Sequence, residues 1–157
     1  MYKYRDARKE DFDTIASFPQ NAREQFYMFP NGTYPVQGSQ LYEVSLQRHL
    51  PTVLLKGSEI VGYSVFYGWE QEKCHLGNFV VAPSVRGQGA ARFLLMTMLK
   101  RAKEELKVSE LHLVCHNPNT AALLLYTSVG FVPYSVKKMK DGEGQQLAGI
   151  SMKIDLR

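Results

Sequence analysis

NFVVAPSVRGQGAARF, from Asn78 to Phe93, is the stretch whose reading decides the fold. It opens with a β-rich apolar run, Phe79-Val80-Val81, and Pro83 ends the ladder because proline has no N–H to donate. Arg86-Gly87-Gln88-Gly89 follows, and a helical pattern starts at Ala90-Ala91. A strand, a glycine-containing turn and a helix start, in that order, make an anion site. The first amides of a helix have no partner inside it, point outward and sit at the positive end of its dipole. Gly87 and Gly89 allow the backbone to approach a ligand with no Cβ in the way. Arg86 adds a full positive charge suited to phosphate. The guest predicted for this turn is a pyrophosphate.

Outward from this stretch, the chain reads as one mixed domain spanning 1–157. Its 157 residues are enough to bury a core without staples. Hydrophobic residues at 45% and charged residues at 22% are globular values. No apolar run approaches the roughly 20 residues of a membrane span, and the start, MYKYRDARKEDFD, is charged where a leader needs an apolar core. Cys74 and Cys115 lie in apolar strand-like runs without metal-ligand spacing, so reduced thiols, no metal and a cytoplasmic setting are expected. A net charge of +4 suits an anionic ligand but is too dispersed to imply nucleic acid.

Tyr2–Arg5 alternates like an edge strand, and Asp11–Phe18 carries apolar residues at helical spacing before Pro19. The aromatic run Phe26–Phe29, broken by Pro30 and Pro35, reads as an ordered loop that either caps the core or walls a binding site. Ser39–Arg48 reads as a second short helix, with Leu41, Val44 and Leu46 as candidate buried positions. Thr52–Leu55 and Ile60–Tyr67 form a predicted hairpin, Gly68–Lys73 a polar turn, and Cys74–Ala82 the strand feeding the glycine turn. The helix from Ala90 sets Ala91, Leu94, Leu95, Met98, Leu99, Ala102 and Leu106 on one stripe, with Lys100, Arg101 and Lys103 near its C-terminal end. Leu111–Cys115 is a short buried strand. Asn117 or Asn119 caps a helix over Thr120–Val129, apolar enough to be enclosed on more than one side, and Gly130 stops it. Phe131–Met139 and Leu147–Ile154 close the chain as a hairpin. The expected fold is α/β, a central twisted mixed β-sheet with helices on both faces.

The glycine turn lacks the Gly-Lys-Ser/Thr ending of a P-loop and the third glycine of the dinucleotide fingerprint. Arg-x-x-Gly-x-Ala (Arg86, Gly89, Ala91), placed after Val81 and Pro83, instead resembles the acyl-CoA-binding motif of the GNAT superfamily of acetyl-CoA-dependent N-acetyltransferases. A second motif of that family, Asn-x-x-Ala-x-x-x-Tyr-x-x-x-Gly-Phe, is matched by Asn119, Ala122, Tyr126, Gly130 and Phe131. Both occur in the family's order, and the match is strong over Cys74–Tyr134.

The resemblance implies acetyl-CoA as co-substrate, lying between two splayed parallel strands, here Cys74–Ala82 and Leu111–Cys115. Amides of Phe79, Val80 and Val81 would pair with the pantetheine arm, and those of Gly87, Gln88, Gly89, Ala90 and Ala91 would cradle the pyrophosphate beside Arg86. Asn119 would anchor the cofactor or the strand ends, with help from Asn117; helix capping is the other reading of both. Acceptor and chemistry then follow from general considerations. A lysine-type amine has a pKa near ~10.4, so shedding its proton at pH 7 costs about 4–5 kcal/mol. The leaving thiolate resembles that of cysteine, near ~8.5, and a phenol near ~10 is protonated and able to donate to it. Tyr126 is therefore the candidate acid, against the alternative of a packed core aromatic. No carboxylate stands on the strand CHLGNFVVA, so His75 is the candidate base, against an edge histidine facing solvent; Glu70 and Glu72 are weaker choices, and the resemblance leaves open a water chain with no dedicated base. The implied activity is direct transfer of acetyl to a small-molecule or peptide primary amine. The main rival is a non-catalytic acyl-CoA-binding sensor or subunit, and a nucleotide-phosphate binder comes third. C-terminal edge strands could support a homodimer, and neither nucleic acid nor membrane is an expected partner.

Overall fold

The computed structural model describes residues 1–157. In chain order the elements are β1 (Tyr2–Asp6), α1 (Phe12–Ala16), α2 (Ala22–Met28), α3 (Gly38–Ser45), β2 (His49–Lys56), β3 (Glu59–Glu70), β4 (Lys73–Val81), α4 (Ala90–Glu104), β5 (Glu110–His116), α5 (Thr120–Val129), β6 (Val132–Lys140) and β7 (Gln146–Asp155). The strands make one seven-stranded sheet in the order β1-β2-β3-β4-β5-β7-β6. All neighbours are antiparallel except β4 and β5, which run parallel. This is the mixed α/β sheet expected from the sequence.

Strand alternation decides which helix covers which face. On β3, Gly62 lies under Leu94 of α4, while its neighbour Tyr63 points the other way and meets the Phe12 ring of α1 at 5.4 Å. Both faces of β3 are therefore covered, and Val61 through Phe66 are all buried. α5 lies beside α4, joined by Arg92 Nη1 donating to Ser128 Oγ at 3.1 Å. α2 lies on the α1 side, where Asn78 Nδ2 donates to the Met28 carbonyl at 2.8 Å. Leu95, Met98, Leu111 and Met152 are fully buried between the sheet and α4 and α5, each contributing about 1.5–3 kcal/mol over exposure.

Several sequence expectations need correction. Phe26, Tyr27 and Met28 belong to helix α2 and not to a loop. Asn21 Oδ1 accepts from Glu24 N at 2.9 Å, and Glu24 Oε1 accepts from Gln20 N at 3.1 Å. That near-reciprocal cap, written Asn-x-x-Glu in the sequence, starts a helix despite the prolines downstream. β3 runs through Glu70, so Gly68 and Trp69 are strand rather than turn. Leu46 is exposed and Val44 half-buried, leaving Leu41 as the buried anchor of α3. Arg101 is buried instead of solvated at a helix end: it donates to Asp6, Glu105 and Thr52 at 2.7–2.8 Å, tying α4 to β1 and β2. α5 is not enclosed. Leu124 is 65% exposed, because the helix turns its other apolar residues, Ala122, Leu125 and Tyr126, toward a cleft and has no second packing layer outside.

Candidate active site

β4 and β5 pair at Lys73–Glu110, Cys74–Leu111 and His75–His112, and then part. The cause lies in β4. Val65 of β3 stands opposite Gly77, but Tyr63 stands opposite Val80, so β4 carries an extra residue over this interval. Such a bulge bends its strand and raises the local twist. Asn78 absorbs it at φ +51, a left-handed conformation that asparagine tolerates better than most residues. Its carboxamide is engaged at both ends, donating to the Met28 carbonyl and accepting from Arg48 Nη1 at 2.9 Å. Between the separated strands lies a cleft of about 960 Å³, reaching from the start of α4 on one face to α2 on the other.

At the α4 end, Gly89 is the N-cap with φ +85, and a Cβ there would meet no protein atom. The amides of Gly87 and of Gly89 through Arg92 have no carbonyl partner in the chain. An anion at this point would be met by several N–H donors and the helix dipole together. Of the sequence-predicted ligand residues, Phe79, Val80, Val81, Arg86, Gly87, Gly89, Ala91 and Asn119 line the cleft. Gln88 does not line it: its side chain turns back to donate to the Ser84 carbonyl at 3.0 Å. Ala90 is buried behind the turn. Asn117 is also withdrawn, since its Oδ1 accepts from Ala148 N at 2.8 Å and clips β7 to the end of β5. Asn119 makes no side-chain cap bond, so the capping readings of both asparagines fall.

Arg86 sits on the rim but faces α2. It forms an ion pair with Glu24 at 2.9 Å and donates to the Phe18 and Val81 carbonyls. A second cation on this rim, not singled out from the sequence, is Arg92, in the first turn of α4 and on the cleft wall. Its signal was its place three residues beyond the last motif glycine, where a helix side chain flanks the open amides.

Tyr126 projects from α5 into the same cleft. Its ring packs edge-on against Phe79 at 6.0 Å and Phe131 at 5.7 Å. The hydroxyl donates to no protein group, and it is not the sealed orphan of this structure, so its free direction is the cleft. Burial, with a smaller contribution from Cys115, raises the phenol well above its ordinary value and keeps it protonated. Burial likewise pushes the Cys115 thiol up to about 11 and Cys74 to about 12, so neither is a thiolate nucleophile at neutral pH.

His75 is not brought to the cleft. Its ring stacks on Tyr67 at 5.1 Å and lies 5.4 Å from His112, with Nδ1 sealed and unpartnered. The bulge explains the misplacement: the extra residue falls after His75, leaving it in the paired part of β4 one ring behind the opening. The imidazole that does line the cleft is His116, packed against Phe26 and Tyr27. Burial, then Lys137, lowers its pKa and holds it neutral. Burial, then His112 and Lys73, does the same for His75. A histidine whose folded pKa is lowered binds fewer protons folded than unfolded, so stability falls as pH drops through the unfolded value near ~6.5. His75→Phe keeps the stacking and removes the orphan nitrogen. It is expected to equal or exceed the parent in stability by about 1 kcal/mol, to show a shallower acid loss than the parent when both are titrated with denaturant between pH 7 and 5, and to leave the pH–rate profile unchanged. An altered rate profile would return His75 to the mechanism.

The chain matches the acetyltransferase (GNAT) family over residues 9–131. It belongs to the GNAT family. Solved structures agree on the fold of this GNAT protein over its whole length. A ribosomal-protein-alanine N-acetyltransferase from Brucella melitensis is 23% identical, with a TM-score of 0.83 over 98% of this chain and 99% of that one. A spermidine N-acetyltransferase from Vibrio cholerae, in complex with CoA and spermine, is 18% identical, with a TM-score of 0.82 over 99% and 95%. The yncA protein of Salmonella typhimurium, with its cofactor acetyl-CoA, is 19% identical, with a TM-score of 0.77 over 100% and 95%. No curated protein sequence matches. GNAT proteins use acetyl-CoA, and the cleft fits it: an unpaired strand edge for the pantetheine amides, then a glycine N-cap with free N–H groups where a pyrophosphate belongs. No helix of this GNAT protein is long and apolar enough to cross a membrane.

Proposed function

We propose that this GNAT protein is an N-acetyltransferase that carries acetyl from acetyl-CoA directly to a primary amine held with it in one ternary complex. The observation that carries the reading is the parting of β4 from β5 beyond His75, which aligns a free strand edge, the open N-terminus of α4 and the Tyr126 hydroxyl along a single cleft. Bound acetyl-CoA supplies an activated acyl carbon and a thiol leaving group. The free edge of β4 near Val80 and Val81 offers backbone N–H groups to the carbonyl oxygen as it gains negative charge. His116, neutral and on the cleft wall, takes the proton that the acceptor ammonium must lose. Arg48 and Lys137 on the same side make that loss easier, because neighbouring cations lower an ammonium pKa. Tyr126 donates a hydrogen bond to the departing sulfur. Its raised pKa means the proton crosses only late, as thiolate charge builds. With both thiols protonated, a covalent acetyl-cysteine stage has no nucleophile.

Release of free thiol from acetyl-CoA, followed across a panel of amines, tests the reading. Amine-dependent release is the expected result, whereas tight CoA binding with no release in any amine would make the protein a binding module. Arg86→Ala is expected to weaken CoA binding by less than tenfold in calorimetric titration, since Glu24 already neutralises most of its charge. That small loss should shrink further at 0.5 M salt. The strand β6 is exposed along nearly its whole length at the sheet edge, and a homodimer formed there would show as a doubled mass in sedimentation.

A further inference from the structure

The α2 side of the cleft is electropositive and has no free carboxylate. Arg23, Arg48, Arg86, Arg92 and Lys137 line the cleft as a whole against one acid, Glu24, which is held by Arg86. Arg86 and Arg92 stand at the α4 end, where a pyrophosphate is accommodated. Arg48 stands on the other side. It is half-buried just beyond α3, with Cζ 4.9 Å from the centroid of the Tyr67 ring and Nη1 donating to Asn78 Oδ1. No carboxylate lies within ion-pair distance of it. Asn78 is itself fixed by the Met28 carbonyl, and Tyr67 is backed by the stacked ring of His75. The guanidinium is thus held from two sides, with one of its five N–H donors used. Lys137 and His116 stand in line across the sheet, each paired with Gly149 of β7, and both line the cleft.

We infer that the amine acceptor carries a carboxylate and that Arg48 holds it, so the substrate is an amino acid rather than a simple amine or a polyamine. A pre-positioned arginine with its fork free is matched to a carboxylate by geometry as well as charge. A polyamine would bring several ammonium groups against Arg48 and Lys137 with no acid to receive them, and like charges brought together select against a partner. The α-carboxylate and α-ammonium of an amino acid cancel in charge: the carboxylate meets Arg48 while the ammonium, among cations, is readied to lose a proton.

This inference rests on the acetyl-transfer reading, and the test separates the two. Turnover of acetyl-CoA by the full chain is measured on matched pairs, leucine with isopentylamine and lysine with cadaverine, together with leucinamide and spermidine. CoA affinity is measured separately by calorimetry. The carboxylated member of at least one pair is expected to exceed its decarboxylated partner by about 100-fold in kcat/KM, with leucinamide as poor as isopentylamine. Arg48→Gln, with Arg48→Lys as the conservative control, is expected to bring that ratio toward one, mainly through KM. Equal rates within the pairs, a preference for spermidine or leucinamide, or CoA binding with no amine acetylated overturns the inference. The first two of those results leave acetyl transfer standing; failure to bind CoA removes both. The parental ratio decides the matter even if an Arg48 variant fails to fold.

Discussion

Tyr126→Phe is expected to lower the rate constant for acetyl transfer by about 10²–10³, the range for losing a positioned proton donor, while CoA affinity stays within a few-fold. The ring has two aromatic partners, Phe79 and Phe131, and phenylalanine keeps both. The hydroxyl makes no hydrogen bond to the protein, so removing it leaves no group unsatisfied, and stability should change by well under 1 kcal/mol. Those two features make the substitution a clean probe: activity and fold are separable at this residue. The loss should shrink with an acyl donor whose thiol is more acidic and needs less help to leave. Because burial raises the phenol pKa, no alkaline limb near the ordinary tyrosine value should be traceable to Tyr126. Steady-state kinetics, with CoA binding measured independently, is the check. Parental turnover in the variant would reduce Tyr126 to a core aromatic and assign the proton to solvent.

Gly89→Val is expected to weaken CoA binding by about 100-fold in a protein that still folds. The backbone there is at φ +85, where a β-branched residue costs about 1–2 kcal/mol. Since a Cβ would touch no protein atom, that strain is the main structural cost. The ligand meets a different situation. Gly89 is the N-cap, its amide is among those lacking a partner, and either the new side chain blocks the approach of an anion or the turn relaxes and re-aims the donors. Both routes remove several charge-assisted hydrogen bonds at once. Calorimetric titration alongside a thermal melt decides it, and a folded variant with parental CoA affinity would clear the glycine turn of any phosphate role.

Much of the donor half of this site was legible in the sequence because it is made of local, contiguous backbone. A strand end, a glycine turn and a helix start within Asn78–Phe93 specify their own geometry. The same locality brings Tyr126 to the cleft wall with Asn119, through spacing along one helix. The proposed acceptor half was not legible. Arg48, Tyr67, His116 and Lys137 come from four separate segments, the turn after α3 and strands β3, β5 and β6, and their meeting depends on which face each strand residue takes. His75 stands outside the cleft for that reason: one extra residue in β4, after it, decides which side chains reach the opening. Helix α2 was missed because a run of aromatics and prolines outweighed a cap written in two residues, Asn21 and Glu24. Arg101 shows the converse, a cation placed at a helix end by charge pattern yet buried by the neighbouring strands.

The irregularity at Asn78 bears on how this protein can be engineered. Shortening β4 by that one residue would restore an even ladder and let β4 follow β5 to its end. The product would be a better sheet with nowhere to put a thioester. A stabilisation campaign guided by strand propensity or sheet regularity would favour that change, or the substitutions that mimic it, and with them closure of the cleft. Residues 77–80 are best kept constant in any such library, with the edge strands and the outer face of α5 as the places to spend mutations.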